Sequence, residues 1–540
     1  MRLRLLIKKI EKRIYYRHYS KLIEKHRMIS LVQSNFAKLL SSPTVDSNNK
    51  GYLPSNKQIY DPLLGSSTCL TNIGEAFTKH PNFTRLNHLK QLGLSYYEFP
   101  GATHTRAVHS IQVAKVSKMF LSKLLENQPT LIKNADKKMI LTCIEIAGLC
   151  HDIGHPPFSH AGETYIIKEL QKMKKRDPPY YKHENKSMEM IDEMMNDILP
   201  VFSINLDDIT KISNIVKKMI NGNSIGEYNF LFSIVCNING LDTDCLVYIL
   251  EDQLSTTGSN ETHKLLSIIN NAYVYTIPVN KRTELLDQGP YPQTNYKDLC
   301  FNIDISSTIE RYFMLRIELY TNIYYHKNTR IRERMMADAF ILVDHKYDFL
   351  SRVNNNRLFV KFTDNFTDII LNDSNLENDE KIQQAQDLIN RIPTNNLYRF
   401  VYQKTITRYE MNDIKEKDTD KYTAGHFYNV PVIVDTINTL LDDKECIYPQ
   451  DIIIDKSKVN QKNGEINPLT LINFYNSDDS DTTFLIKNND LTNLQSKQPE
   501  HCFLRVYLRD INFKNNERDI EKIQYMIKYY FDNIDTFKNN

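Results

Sequence analysis

The 540 residues carry 68 Lys and Arg against 66 Asp and Glu, a net charge of +2, with 41% hydrophobic and 25% charged residues. That balance excludes a global basic field that would by itself draw in nucleic acid or anionic lipid, and the length predicts two to four units with room for a large core. Eight scattered cysteines exclude a disulfide scaffold, and no run of about 18 apolar residues offers a membrane span, so the expected setting is intracellular, cytoplasmic or nuclear, with no membrane partner.

Residues 1–50 read as a basic N-terminal helix and linker. Leu3, Leu6, Ile7, Ile10 and Ile14 recur at helical spacing opposite a lysine- and arginine-rich face, and Ser41 to Gly51 is rich in Ser, Asn and Pro. From Lys57 to Leu92 the pattern predicts short helical segments, with Asp61-Pro62 as a turn. Pro100-Gly101 marks another turn, after which Thr103 or Thr105 caps a helix running through Val113, Val116 and Phe120. His109 lies on the inward face of that helix.

The apolar run Met139 to Leu149 delivers an adjacent pair, His151-Asp152, and Gly154 with Pro156-Pro157 then breaks the helix so that His155 and His160 turn into the same space. A lone His-Asp pair is commonly a hydrogen-bonded helix end. Four polar residues clustered there point instead to a metal site, whose imidazole and carboxylate donors suit Zn, Fe or Mn. Downstream, His183-Glu184 opens a helix rich in Met and Ile. Asn239 to Asp242 forms a turn, after which Asp244, Tyr248 and Asp252 fall at i, i+4 and i+8 on one helix face. Arg311 to Asp344 predicts another long helical stretch. Towards the end, Asp451 to Val459, Leu471 to Tyr475, Thr483 to Lys487 and Phe503 to Leu508 read as strands between Asn, Gly and Asp turns. The fold class is therefore mainly α, with residues 51–430 as the helical core and 431–540 as a smaller C-terminal α+β lobe.

Taken together, His109, His151-Asp152 and Asp244 resemble the ligand set of the HD-domain metal phosphohydrolases. Lys90 to Gly93, Phe99 to Ala102, Arg106, Ala147 to His160 and Asn239 to Asp244 resemble the sterile-alpha-motif-and-HD-domain deoxynucleotide triphosphohydrolases in particular, over about residues 55 to 515. No sterile-alpha-motif domain is expected before them.

The resemblance implies a helical HD fold. His109, His151, Asp152 and Asp244 would be metal ligands, and His155, His160, His183, Glu163 and Arg106 would surround the α-phosphate. Gln91, Leu92, Tyr248, Asp252, Arg316 and Tyr324 would bind substrate, with Mg on its phosphates. It implies release of triphosphate from a deoxynucleoside triphosphate, a homo-oligomer (dimer or tetramer), and a regulatory nucleotide near Lys57, Phe99, His326, Lys327 and Arg399. Three departures stand out: Glu163 replaces the usual Asp, Cys245 a phosphate-contacting Lys, and Tyr325 a Gln. Lys79, Thr84, Asn87 and Asn395 stand where guanine would be read, so activation is expected to use another nucleotide or none. The alternatives are another HD nucleotide phosphohydrolase or phosphodiesterase, and a catalytically silent nucleotide- or nucleic-acid-binding protein.

Overall fold

A computed structural model describes residues 49–533 except 135, 177–179, 223–227, 238, 279–294, 375–378, 408–429, 441–446, 461–465, 477–478, 488–500 and 510–516. The expected basic helix of residues 1–48 lies outside the described residues. The described chain opens with an antiparallel hairpin, β1 (Pro54–Asp61) and β2 (Ser66–Thr71), where short helices were expected. Ser66 to Thr71 is a β-prone run, and Gly65 takes the left-handed conformation (φ +59°) that the turn requires. Thr71 then caps α1 (Asn72–Lys79).

The central layer is α2 (Arg106–Asn127), α3 (Lys137–Cys150), α4 (His183–Ile198), α5 (Leu206–Asn221) and α6 (Thr243–Thr257). Thr105 caps α2, its hydroxyl accepting from the Val108 N–H, and Asp242 caps α6. Against α2, α3 packs so closely that a Cβ on Gly148 would meet Ala114 Cα at 2.5 Å. The core between them is apolar and closed, with Val113, Val116, Phe120, Ile144, Ala147 and Leu149 fully buried.

After α7 (Thr262–Asn270), β3 (Ala272–Ile277) and β4 (Tyr296–Asn302), the stretch expected as one helix divides into α8 (Ser306–Leu319), a π-helical turn at Tyr320–Tyr324, and α9 (Lys327–Tyr347). Then come α10 (Glu380–Arg391), β5 (Arg399–Thr407), α11 (Val430–Leu440), β6 (Ile452–Val459), β7 (Asn473–Asn476), β8 (Asp479–Leu485), β9 (His501–Leu508) and α12 (Glu517–Asp532).

The architecture is mainly helical with a smaller strand-bearing lobe, as the sequence pattern predicts. Two sheets cross residue 430: β5-β9-β6 takes β5 from before it, and β3-β4-β7-β8 joins β4 to β7 in parallel. Ile433, Ile437, Leu504, Val506, Ile523 and Ile527 form a second, separate core between β5-β9-β6 and the helices α11 and α12. The lobe docks on α9 through ion pairs, Arg330 with Asp455 (3.0 Å) and Arg509 with Asp338 (2.6 Å). Among the described residues no helix is long and apolar enough to cross a membrane.

Candidate active site

Four side chains converge where α2, the end of α3 and the start of α6 meet. His109 Nε2 lies 3.1 Å from Asp244 Oδ1, and His151 Nε2 lies 3.4 Å from the same oxygen and 3.5 Å from Asp152 Oδ2. Donors around an ion at about 2.1 Å stand about 3.0–3.4 Å apart, so this spacing fits a small divalent cation. Protonation geometry agrees. His151 Nδ1 gives its hydrogen to the Gly148 carbonyl (2.8 Å), and its Nε2 is buried without a hydrogen-bond partner. His109 is held from behind by Glu251 (3.2 Å). Burial opposes a charge on His109, yet its hydrogen bonds to Asp244 and Glu251 outweigh that and raise its pKa to about 10, so the site has the negative potential a cation needs. His109, His151, Asp152 and Asp244 could hold the ion.

Beside them stands the histidine cluster. His155 and His183 stack at 3.8 Å between ring centres, and His160 meets each edge-on, at 4.7 and 5.3 Å. Glu163 binds His183 Nδ1 (2.6 Å) and Lys168 (2.7 Å); despite burial, those bonds pull its pKa down to about 2. His160 faces the cavity. Desolvation within its walls, then the positive charges of His183 and Arg106, push its pKa down to about 4.

The chain needs unusual backbone to bring these groups together. Phe158 and Ser159 are both left-handed (φ 60° and 58°), and a π-helical turn follows at Gly162–Ile167. Asp364 holds the strained segment by accepting from Phe158 N–H (2.7 Å) and Lys90 N–H (2.8 Å). Arg106, 1% exposed, binds Asp152 and, through Nε, Ser159 Oγ (2.8 Å).

A cavity of about 520 Å³ opens onto this centre. Gln91, Leu92, Arg106, Asp152, His160, His183, Asp244, Tyr248, Asp252 and Tyr324 all line it. At its far end Asp252 accepts from the Tyr324 hydroxyl and from His104 Nε2 (2.8 Å). The opposite wall comes from α9 and the lobe, through Arg330, Glu333, Lys456 and Ser457.

Five expected site residues do not line the cavity: His109 and His151 stand behind Asp152 and Asp244, Glu163 behind His183, and His155 and Arg316 elsewhere. His155 is fully buried behind the other two histidines, both its ring nitrogens without a partner. Arg316 is turned away: its Nε donates to the Tyr248 hydroxyl (3.1 Å), its Nη1 to the Asn460 carbonyl, and its guanidinium lies 4.2 Å over the Tyr320 ring. Stacking and a carbonyl partner satisfy that charge inside the protein.

Among the expected regulatory residues, Phe99 packs edge-on against His326 (5.6 Å), and Lys327 lies over Phe400, next to Arg399 (5.2 Å). Lys57 is exposed on the β1 hairpin.

Sequence reasoning missed Glu251, His104 and Lys456. Glu251 was within reach of it, being two helical turns after Asp244 on the same face; Lys456 arrives by docking of the lobe and carries no local signal.

An HD-domain family model matches residues 106–235, the span holding the two histidines, Asp152 and the histidine cluster. The chain is 28% identical to deoxynucleoside triphosphate triphosphohydrolase SAMHD1 of Xenopus laevis over 82% of its own length and 69% of the relative's. It is 28% identical to the human SAMHD1 (81% and 68%), and 24% identical to an HD domain-containing protein, L394, of Acanthamoeba polyphaga mimivirus (86% and 94%). With those likenesses covering about four-fifths of the chain, residues 106–235 match an HD domain and the chain as a whole resembles the SAMHD1 enzymes.

Proposed function

We propose that the protein hydrolyses 2'-deoxynucleoside 5'-triphosphates to the deoxynucleoside and inorganic triphosphate. The observation that carries this reading is one cavity with two chemically different ends. The HD quartet and the histidines stand at one end, and Asp252, Tyr324, Tyr248 and Gln91 at the other. About 520 Å³ is a volume suited to a nucleotide-sized ligand.

His109, His151, Asp152 and Asp244 would hold a divalent ion, Fe, Mn or Zn, which when bound supplies Lewis acidity at a phosphoryl oxygen and an acidified water. Mg would accompany the phosphates. Arg106 and His183 face the α-phosphate, and His160 passes a proton to the leaving 5'-oxygen. Its lowered pKa leaves it neutral in the empty cavity; an arriving polyanion favours its protonated form. Leu92 crowds the 2'-position, while Asp252 accepts from the 3'-hydroxyl and the Gln91 amide hydrogen-bonds the same group. Cys245 offers no cation to the outer phosphates, and Arg330 and Lys456 stand on the wall where one is needed.

Activation, in a homo-oligomer, would use a nucleotide other than a guanine nucleotide, bound near Lys57, Phe99, His326, Lys327 and Arg399, or would need none.

The test is incubation of the purified protein with each dNTP and NTP plus Mn or Mg, followed by chromatography for nucleoside and triphosphate. Deoxynucleoside and triphosphate in equal amounts, abolished by Asp152→Ala, are expected. Diphosphate products would favour another HD phosphohydrolase. Salt-dependent RNA or single-stranded DNA binding without turnover would favour a silent binding protein.

A further inference from the structure

Behind the Asp252 end of the cavity stands a histidine that the reaction as proposed does not use. His104 precedes α2 by two residues, and its side chain is 9% exposed. Its Nε2 is 2.8 Å from Asp252 Oδ1; a carboxylate oxygen accepts, so Nε2 carries the hydrogen. The other Asp252 oxygen, Oδ2, accepts from Tyr324. With each carboxylate oxygen anchored by one donor, the Asp252 plane is fixed, and each oxygen keeps a further lone pair for a ligand.

His104 also holds the second acceptor of that end. Its backbone carbonyl accepts from the Gln91 N–H (3.1 Å), beside the isolated antiparallel bridge between Lys90 and Thr105. Gln91 Oε1 is buried without a hydrogen-bond partner at the cavity wall. A buried acceptor with no donor is unfavourable, and a ligand that donates relieves it. One residue therefore places two acceptors, one through its ring and one through its backbone, on the same side of the cavity.

We propose that His104 is a positioning residue for sugar recognition, fixing Asp252 as the acceptor of one substrate hydroxyl and holding the Gln91 amide beside it as a second polar contact for the sugar. The proposal rests on the nucleotide reading given above. Burial lowers the tendency of His104 to protonate, but its bond to Asp252 outweighs burial and raises its pKa, which strengthens the grip on the carboxylate.

The test compares a 2'-deoxynucleoside triphosphate with its 2',3'-dideoxy counterpart, which lacks the donating hydroxyl. Equilibrium affinity for both is measured in a His160→Asn background, where turnover does not interfere, and kcat/KM for both is measured in the otherwise native protein. His104→Leu is expected to shrink the preference for the 3'-hydroxyl by about ten-fold, the size of one lost charge-assisted hydrogen bond, with bound metal unchanged. His104→Gln, which returns a neutral N–H near the position of Nε2, is expected to restore most of the preference. His104→Ala, read by the same ratio, takes the place of the leucine variant if that one does not fold.

A preference identical in parent and variants, with affinity for both ligands falling equally, overturns the proposal and assigns His104 a purely structural role. Native protein that prefers the 3'-hydroxyl in binding, loses that preference in His104→Leu, and turns over no dNTP leaves the proposal standing and overturns the reaction instead.

Discussion

At the scale of single residues, the site depends on groups one step behind those that face the cavity. Glu251 is 4% exposed and touches only the far nitrogen of His109, yet that contact sets which nitrogen points at Asp244. Carboxylates in this position raise the basicity of a ligating imidazole, and their loss commonly lowers metal affinity 10–100-fold. Glu251→Gln is therefore expected to bind metal about ten-fold or more weakly, read by metal titration, while its melting temperature in the metal-free state shifts little. The four residues proposed to hold the ion were legible in position: His109 on an inward face, His151-Asp152 at a helix end, and Asp244 at the start of a helix. His155 and Arg316 were less legible. Their types suit phosphate contact, but burial behind His160 and stacking on Tyr320 are facts of tertiary packing, to which a linear pattern is blind.

Among the elements, α6 carries most of the cavity's polar face, with Asp244, Tyr248 and Asp252 on successive turns. Its start is fixed by Asp242, fully buried, whose Oδ1 accepts from Cys245 N–H (2.8 Å) and whose Oδ2 accepts from Asn237 N–H (2.8 Å). Asp242→Ala would remove a cap and leave two buried N–H groups unpaired, a loss of about 2–4 kcal/mol. We expect a clear drop in the chemical-denaturation midpoint and weaker metal binding, because Asp244 loses its fixed entry angle. Both π-helical turns, Gly162–Ile167 and Tyr320–Tyr324, border the cavity through Thr164, Tyr165, Tyr320 and Tyr324. An extra residue in a turn re-aims side chains that a regular helix would point elsewhere. Neither turn was visible beforehand, since residue preferences for α- and π-turns hardly differ. The β1–β2 hairpin escaped notice for another reason: Ser, Thr and Cys at positions 66–69 are polar or small, so no apolar alternation announces them.

For the molecule as a whole, helical core and lobe share one cavity. Asp455, 1% exposed on β6, pairs with Arg330 and lies 3.8 Å from Arg334, while the next two residues, Lys456 and Ser457, line the cavity. Removing one partner of such a buried pair typically costs about 3–5 kcal/mol, because the other charge is left without compensation. Asp455→Ala is expected to lower the melting temperature and to abolish turnover, with metal still bound at the HD quartet. Retained turnover would show that the lobe is dispensable to the reaction. The four strands from 451 onward were legible from their alternation and turns; their partners were not, because β5 and β4 reach them across more than 90 and 170 residues of intervening chain.

The closeness of α2 and α3 at Gly148 has a consequence for the spacing of His109 and His151. His109 stands five residues before Ala114, and His151 three residues after Gly148, so the backbone contact at that crossing sets the gap between the two imidazoles. For an ion held as proposed, the glycine would act as a calliper, gauging ionic radius from within the hydrophobic core. A side chain of even one carbon there would widen the jaws and tilt the choice towards larger cations, without altering a single ligand.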